Sequence, residues 1–373
     1  MRKITGIRSV DFLITATGEG VVNKNGNASI YNPAAEQWVN NHNFPKLRGV
    51  DPMRRAVSSK DGDTSRGLSL ADSDLVNAAL IVSANCIRHY IFRTVSFGSS
   101  TVTRDNVGDA LASLLGLMRG YTIVGQNTSL SRKSPLRIVD LECAKPGLRY
   151  NQCSRAGERT DTSLFSNFAT DKDLHYEGKG TISIEDLQFI PLENSFGRSA
   201  FCEIISEEVG RALAAHVTEY LQDLTGDTEP QATFVNNAVR KGGFTRAGEA
   251  GLMLNDAAIQ ALVDETLYLI RTLFINQAQG YVRVTNLTVD YNDGHAFRML
   301  DDISQACPQR ELPYAQYFSV EETSTETFQA KMDALKARED ARKEARTEKR
   351  QQAAKRKADR KALAAAQAEQ AAM

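Results

Sequence analysis

The last fifty residues set the tightest limit on how this chain can fold. After Leu335 the large apolar side chains are reduced to Leu363 and the terminal Met373. Without apolar residues a segment has no face to bury, so a hydrophobic core has to come from residues before about 325. The tail consists of Ala, Lys, Arg, Glu and Gln, a composition of high helix propensity. No a/d seam repeats along it, so a coiled coil is not expected. The reading for 325–373 is a charged tail, either a solvated single helix or disordered.

The tail also decides how net charge is read. The whole chain carries −1, but Lys331 to Met373 holds 13 Lys and Arg against 7 Asp and Glu, which leaves the body at −7. A mildly acidic body excludes a binder that grips nucleic acid by overall charge alone. Any such surface must come from locally clustered cations. The 42% hydrophobic and 24% charged residues are ordinary for a globular protein. No run approaches the length of a membrane span. Met1 to Ile7 leads into alternating residues, so no secretory signal is expected. The five cysteines are scattered, with no CxxC, as in a protein of the reducing cytoplasm.

Hydrophobic periodicity gives the elements. Ile4 to Thr17 alternates as a strand, and Tyr281 to Tyr291 (YVRVTNLTVDY) is a second clear one. Asp51 before Pro52 marks a helix start. Helices are predicted over Asp72–Phe92, Asn106–Arg119, Ser206–Leu224 and Asn255–Ala278, the last capped by Asn255 or Asp256. Gly120–Gly125, Arg137–Cys143 and Gly180–Phe189 read as short strands within or beside an otherwise irregular 131–180. Asn236–Leu254 reads as a Gly-rich basic loop.

Catalytic motifs are absent from the sequence. Gly178-Lys179-Gly180-Thr181 has the Gly-Lys pair of a phosphate loop but lacks its first Gly and its final Ser/Thr, and reads better as a turn before a strand. The five histidines are isolated and no HExxH occurs, so neither metal nor cofactor is expected. Asp61, Asp63, Asp301 and Asp302 form carboxylate pairs that could hold Mg²⁺, but such pairs are commoner in turns. No GxSxG is present.

What stands out instead is basic residues mixed with aromatics in loops. Lys46, Arg48, Arg54 and Arg55 surround the helix start at Pro52. Arg132, Lys133, Arg155 and Arg159 flank a segment with Phe165, Phe168 and His175. Arg240, Lys241 and Arg246 bracket Phe244 among glycines. Cations neutralise phosphates, glycine lets a backbone approach closely, and aromatics stack on bases. These three clusters are the candidate RNA-binding residues.

The opening strand Ile4-Thr5-Gly6-Ile7-Arg8, followed by Pro45-Lys46-Leu47-Arg48-Gly49 and Arg54-Arg55, resembles the RAMP superfamily. The long insertions and the late 281–291 strand resemble its seventh Cas family, the CRISPR-RNA-binding backbone subunits, and most the type IV form with type I as neighbour. The resemblance covers about residues 1–320 and implies an α+β fold. An RRM-like (ferredoxin-like) palm would come from 1–67 and 191–320, helical fingers from 68–130, and a β-hairpin thumb from 131–190. It also implies a non-enzymatic subunit that lines up with copies of itself along the guide RNA. That subunit would present the RNA for pairing with target nucleic acid and contact other effector subunits. Two alternatives remain open: a metal-dependent RNA-cleaving relative using Asp61 or Asp63, and an oligomeric scaffold without nucleic acid.

Overall fold

Alternation of inward and outward residues builds the central strand of the fold. Val10, Phe12, Ile14 and Ala16 are each at most 1% exposed, while Leu13, Thr15 and Thr17 lie on the other face. The structure is a computed structural model describing residues 4–24, 28–32, 37–41, 45–48, 56–58, 64–68, 78–93, 102–124, 129–154, 164–202, 205–243, 247–294 and 296–371. In chain order the first half of the principal elements are β1 (Ser9–Gly20), β2 (Leu47–Arg48), β3 (Ala79–Val82), α1 (Ala84–Phe92), α2 (Val107–Leu111), β4 (Leu136–Ile138), β5 (Leu141–Cys143), β6 (Leu174–Ser183) and α3 (Ile184–Gln188). They continue with β7 (Phe189–Pro191), α4 (Glu207–Thr225), β8 (Ala232–Arg240), β9 (Glu249–Leu254), α5 (Asp256–Arg271), β10 (Phe274–Gln277), β11 (Gly280–Asn292), β12 (Phe318–Val320) and α6 (Thr325–Ala371).

The main sheet is antiparallel, in the order β10-β11-β1-β6-β5-β3-β2, with β4 also on β6. β1 therefore sits between the late strand β11 and the middle strand β6. A second antiparallel sheet runs β7-β9-β8-β12. Mixed helices and antiparallel strands around one core place the fold in the α+β class. α5 packs on β11 and α4 on β8, and both helices bury a stripe in the shared core (Leu213, Val217 and Leu221; Ile259, Leu262 and Ile270). Their starts follow the sequence. Ser206 accepts from Val209 N, and Asn255 from Ala258 N at 2.9 Å. Such caps contribute about 1 kcal/mol each.

Gly178-Lys179-Gly180-Thr181 is the middle of β6, neither a phosphate loop nor a turn. Gly180 is paired with Phe12, and a Cβ there would stand 2.3 Å from the Phe12 ring. The glycine makes room for that ring in the core, and Lys179 between the two glycines faces the other way.

Several expectations are corrected. The helix expected from Asp72 begins at Ala84 behind the cap Ser83, and Ala79–Val82 before it is a strand of the main sheet. Residues 69–77 lie outside those described. Residues 184–188 are helical despite the alternation through Phe189, because Ser183 caps Asp186 N. Asn236–Leu254 is largely the β8–β9 hairpin, and the helix from Asn255 stops at Arg271 before β10. Within 131–190, β4, β5 and β6 lie inside the main sheet. Within that stretch a two-stranded hairpin stands apart, Arg149–Ser154 with Leu164–Ala169. From 68–130, Leu80, Ile87, Ile91, Leu111 and Leu117 join the same core as β1.

The tail divides in two. Phe328 and Met332 are 2% and 1% exposed in the core, and Lys331 donates to Glu193 Oε1 at 2.6 Å and to the Gly248 carbonyl at 2.7 Å. The start of α6 is thus part of the body, and its solvated length begins near Lys336. Because the Glu193 carboxylate is fully buried, Lys331→Met leaves it without its cation and should cost about 3–5 kcal/mol. Urea denaturation measures this. Removing residues 351–373 should change stability by less than about 0.5 kcal/mol.

Candidate nucleic-acid interface

α3 is only five residues long, yet it gathers cations from two strands and from the loop after Arg132. Its inner face holds Ile184 and Leu187 in the core, and the buried Gln188 donates to the Ala315 carbonyl and accepts from Tyr317 N. That pinning turns Glu185 and Asp186 outward. Asp186 meets Lys133 Nζ at 2.8 Å and Arg137 Nη2 at 2.9 Å, and Glu185 meets Arg240 Nη2 at 2.5 Å. Burial raises the Asp186 carboxyl, but Lys133, Ser183 and Arg137 together hold it below the usual carboxylate range.

Three side-chain cations therefore share two carboxylates, and Lys241 follows directly after Arg240. Lys133, Arg137 and Arg240 are 66%, 56% and 62% exposed. Their carboxylate partners are more buried, Asp186 at 16% and Glu185 at 30% exposed, so it is the cation ends that a phosphate meets from solvent. Arg137 also stands opposite Thr181 on β6, which joins the ridge to the outward face of the main sheet. On that face Lys179 lies across from Leu13, and His175 and Arg283 flank Thr17 on either side. One end of the face is closed: Arg298 grips the buried Asp290 through two donors at 2.6 and 2.9 Å, with Asp293 beside it. Asp302, one of the carboxylate pair considered from the sequence, caps the turn at Ser304.

The structure brings Lys133, Arg240 and Lys241 together and leaves other candidates elsewhere. Arg132 is buried, donating to the carbonyls of Leu117 and Asp186 at 3.2 and 2.9 Å. Burial lowers its guanidinium to about 10, so its charge is kept at neutral pH but is spent inside the fold. Phe168 is 4% exposed in the core and has no free face for a base. Lys46 and Arg48 lie at the opposite edge, three strands from β6. There Lys46 reaches Ser83 Oγ at 3.5 Å, and Arg48 pairs with Glu142 and with Asp140. His175 is exposed on the outward face. Phe165 lies on the Leu164–Ala169 strand. Arg54, Arg55, Arg155, Arg159, Phe244, Arg246, Asp61 and Asp63 fall outside the described residues. Among the described residues no group of three or more His, Cys, Asp or Glu could hold a metal, and no helix is long and apolar enough to cross a membrane.

Arg137, Lys179 and Arg283 are absent from the loop clusters. Each is the outward member of an alternating strand (Leu136-Arg137-Ile138, Gly178-Lys179-Gly180, Val282-Arg283-Val284), and a search confined to loops passes over that signal.

A family model described as type I-Fv CRISPR-associated protein Cas7fv-like matches residues 6–321. The chain belongs to the Cas7fv-like family. That agrees with a backbone subunit of a CRISPR effector and corrects the subtype, since the match is to the type I-Fv form and nothing supports type IV. No curated protein matches the chain. The family match ends at Glu321, so α6 lies beyond the part that defines the Cas7fv-like family.

Arg132 and its neighbour Lys133 should separate cleanly. Arg132→Ala leaves two buried carbonyls without their donor and should cost about 2–4 kcal/mol. Lys133→Gln should stay within about 0.5 kcal/mol of wild type. Thermal denaturation of the two variants side by side checks both.

Proposed function

We propose that this chain is the guide-RNA-binding backbone subunit of its effector complex. In this reading it grips RNA phosphates along the α3 ridge, and successive copies line up on one RNA. The observation that carries the reading is the convergence of three exposed cations, Lys133, Arg137 and Arg240, on two half-buried carboxylates. Cations that are half exposed suit a sequence-independent grip, and base pairing then does the reading. Membership of the Cas7fv-like family supports the same role.

In this reading the β11-β1-β6 core with its helices is the RRM-like palm, and its outward face carries the guide. The Arg149–Ala169 hairpin acts as the thumb. It is tied to the body through Phe168, and Arg149 is paired with Asp171. An acidic body with a local basic ridge suits a subunit whose neighbours meet its acidic surfaces. The chain performs no catalysis in this proposal; guide and target nucleic acids and other effector subunits are its partners.

The test is to purify the protein from cells expressing a CRISPR array and to sequence what copurifies. A small RNA carrying repeat sequence, bound by several copies of the chain, is expected. The triple variant K133Q/R137Q/R240Q should retain at least about tenfold less RNA. It should also flatten the dependence of log affinity on log salt by about 2, as expected for three lost single-strand phosphate contacts. RNA-free protein from wild-type cells overturns the proposal.

A further inference from the structure

The solvated part of α6 does not project alone. Between it and the 194–198 loop lies a polar cleft of about 260 Å³, lined by Arg198, Arg342, Lys343 and Arg346, with Asn194 and Glu339 at its wall. The cleft is held in shape from below. Asn194 accepts from Ser199 N at 2.6 Å and donates to Glu339 Oε1 at 2.6 Å, while Lys331 fixes the helix to buried Glu193 one residue before that loop.

Arg342, Lys343 and Arg346 follow Glu339 at helical spacings of 3, 4 and 7, so they share one face. Lys349 and Arg350 continue it, Asp340 flanks it and pairs with Lys343 at 3.6 Å, and Glu344 and Glu348 turn away from it. The next stretch, 354–363, holds five Lys and Arg against Asp359 alone. Arg342 and Arg346 therefore reach the cleft side by side, with Glu339 at its wall. Phe196, in the same loop, is 58% exposed beside Gly197 and Arg198. A basic cleft calls for an anion, and an exposed aromatic in the loop that lines it suits one that carries bases.

We propose that the cleft between α6 and the 194–198 loop is a second phosphodiester-binding site, distinct from the α3 ridge, that holds a nucleic-acid backbone against Arg198, Arg342 and Arg346. The site lies largely on a helix beyond the Cas7fv-like match. It rests on the proposed function only in that this chain works on nucleic acid. A guide RNA flank and a DNA duplex offer the same phosphate chemistry, so the experiment includes both.

Full-length protein is titrated by fluorescence anisotropy with a labelled single-stranded RNA of arbitrary sequence and, separately, with a DNA duplex, across a salt series. R198Q/R342Q/R346Q should bind at least one of them about tenfold or more weakly, with a salt dependence flatter by about 2–3. The matching Arg→Lys variant should recover most of the affinity, and F196A should weaken the single strand more than the duplex. All three changes are on exposed or rim side chains, and unchanged thermal denaturation confirms the fold. Unchanged affinity and salt dependence for both probes overturns the site. Loss of self-association with nucleic-acid binding intact also overturns it, because the stripe then grips an acidic protein surface. The two proposals fail separately. Copurifying guide RNA that persists in R198Q/R342Q/R346Q with reduced probe binding supports the cleft, and wild-type protein that lacks guide RNA but binds the probes through it overturns only the guide-RNA role.

Discussion

β1 is hydrogen-bonded along both edges, to β6 from Ser9 through Gly18 and to β11 from Ser9 through Gly20. One face of this ladder is the floor of the core, and the other carries Lys179, His175 and Arg283. A shift of one residue in either pairing would turn every side chain to the wrong face. Two features oppose such a shift. Phe12 needs the empty position at Gly180. Asp11, 3% exposed, accepts from Thr181 Oγ1 at 2.5 Å and from Asn292 Nδ2 at 2.8 Å. A slipped register would leave that carboxylate buried without donors, which costs far more than an exposed ion pair returns.

The ladder also positions the candidate interface. β6 runs directly into Ser183, which caps α3, so the same strand that pairs with β1 presents Glu185 and Asp186. β4 lies alongside β6 and delivers Arg137, while Arg240 arrives at the end of a strand of the second sheet. The cation ridge is thus a product of two sheets meeting at a short helix. The cation ends of its ion pairs are the ones that face solvent.

Much of the fold was legible locally. The 281–291 strand and the helices capped by Ser206 and Asn255 follow from alternation, caps and apolar stripes within a few residues of one another. The errors share one cause. Ala79–Val82 is apolar throughout, a run that suits a buried strand and a buried helix equally, and only its pairing with Leu141–Cys143 decides. Leu187 and Phe189 continue an alternating pattern, yet the Ser183 cap and the packing of Ile184 and Leu187 win over it. At the candidate interface Lys133 and Arg240 belong to basic clusters visible in the sequence. The loop search overvalued Arg132 and Phe168, whose burial depends on neighbours far away in sequence.

By itself the sequence determined that the tail beyond Leu335 has almost nothing apolar to bury, that the body has no net positive charge with which to hold nucleic acid, and where several strands and helices lie. These depend on the residue types present and on spacings of two to four positions. Tertiary structure alone decided which cations share a surface. Asp11, Thr181 and Asn292 meet across separations of 170 and 281 residues, and Lys133, from the loop after Arg132, and Arg240, from the second sheet, converge on α3. The same holds for α6, whose Arg342 and Arg346 come against the 194–198 loop only once Phe328, Lys331 and Met332 have anchored its first turns. Long-range pairing is selected by the burial of whole faces, and no local pattern carries that information.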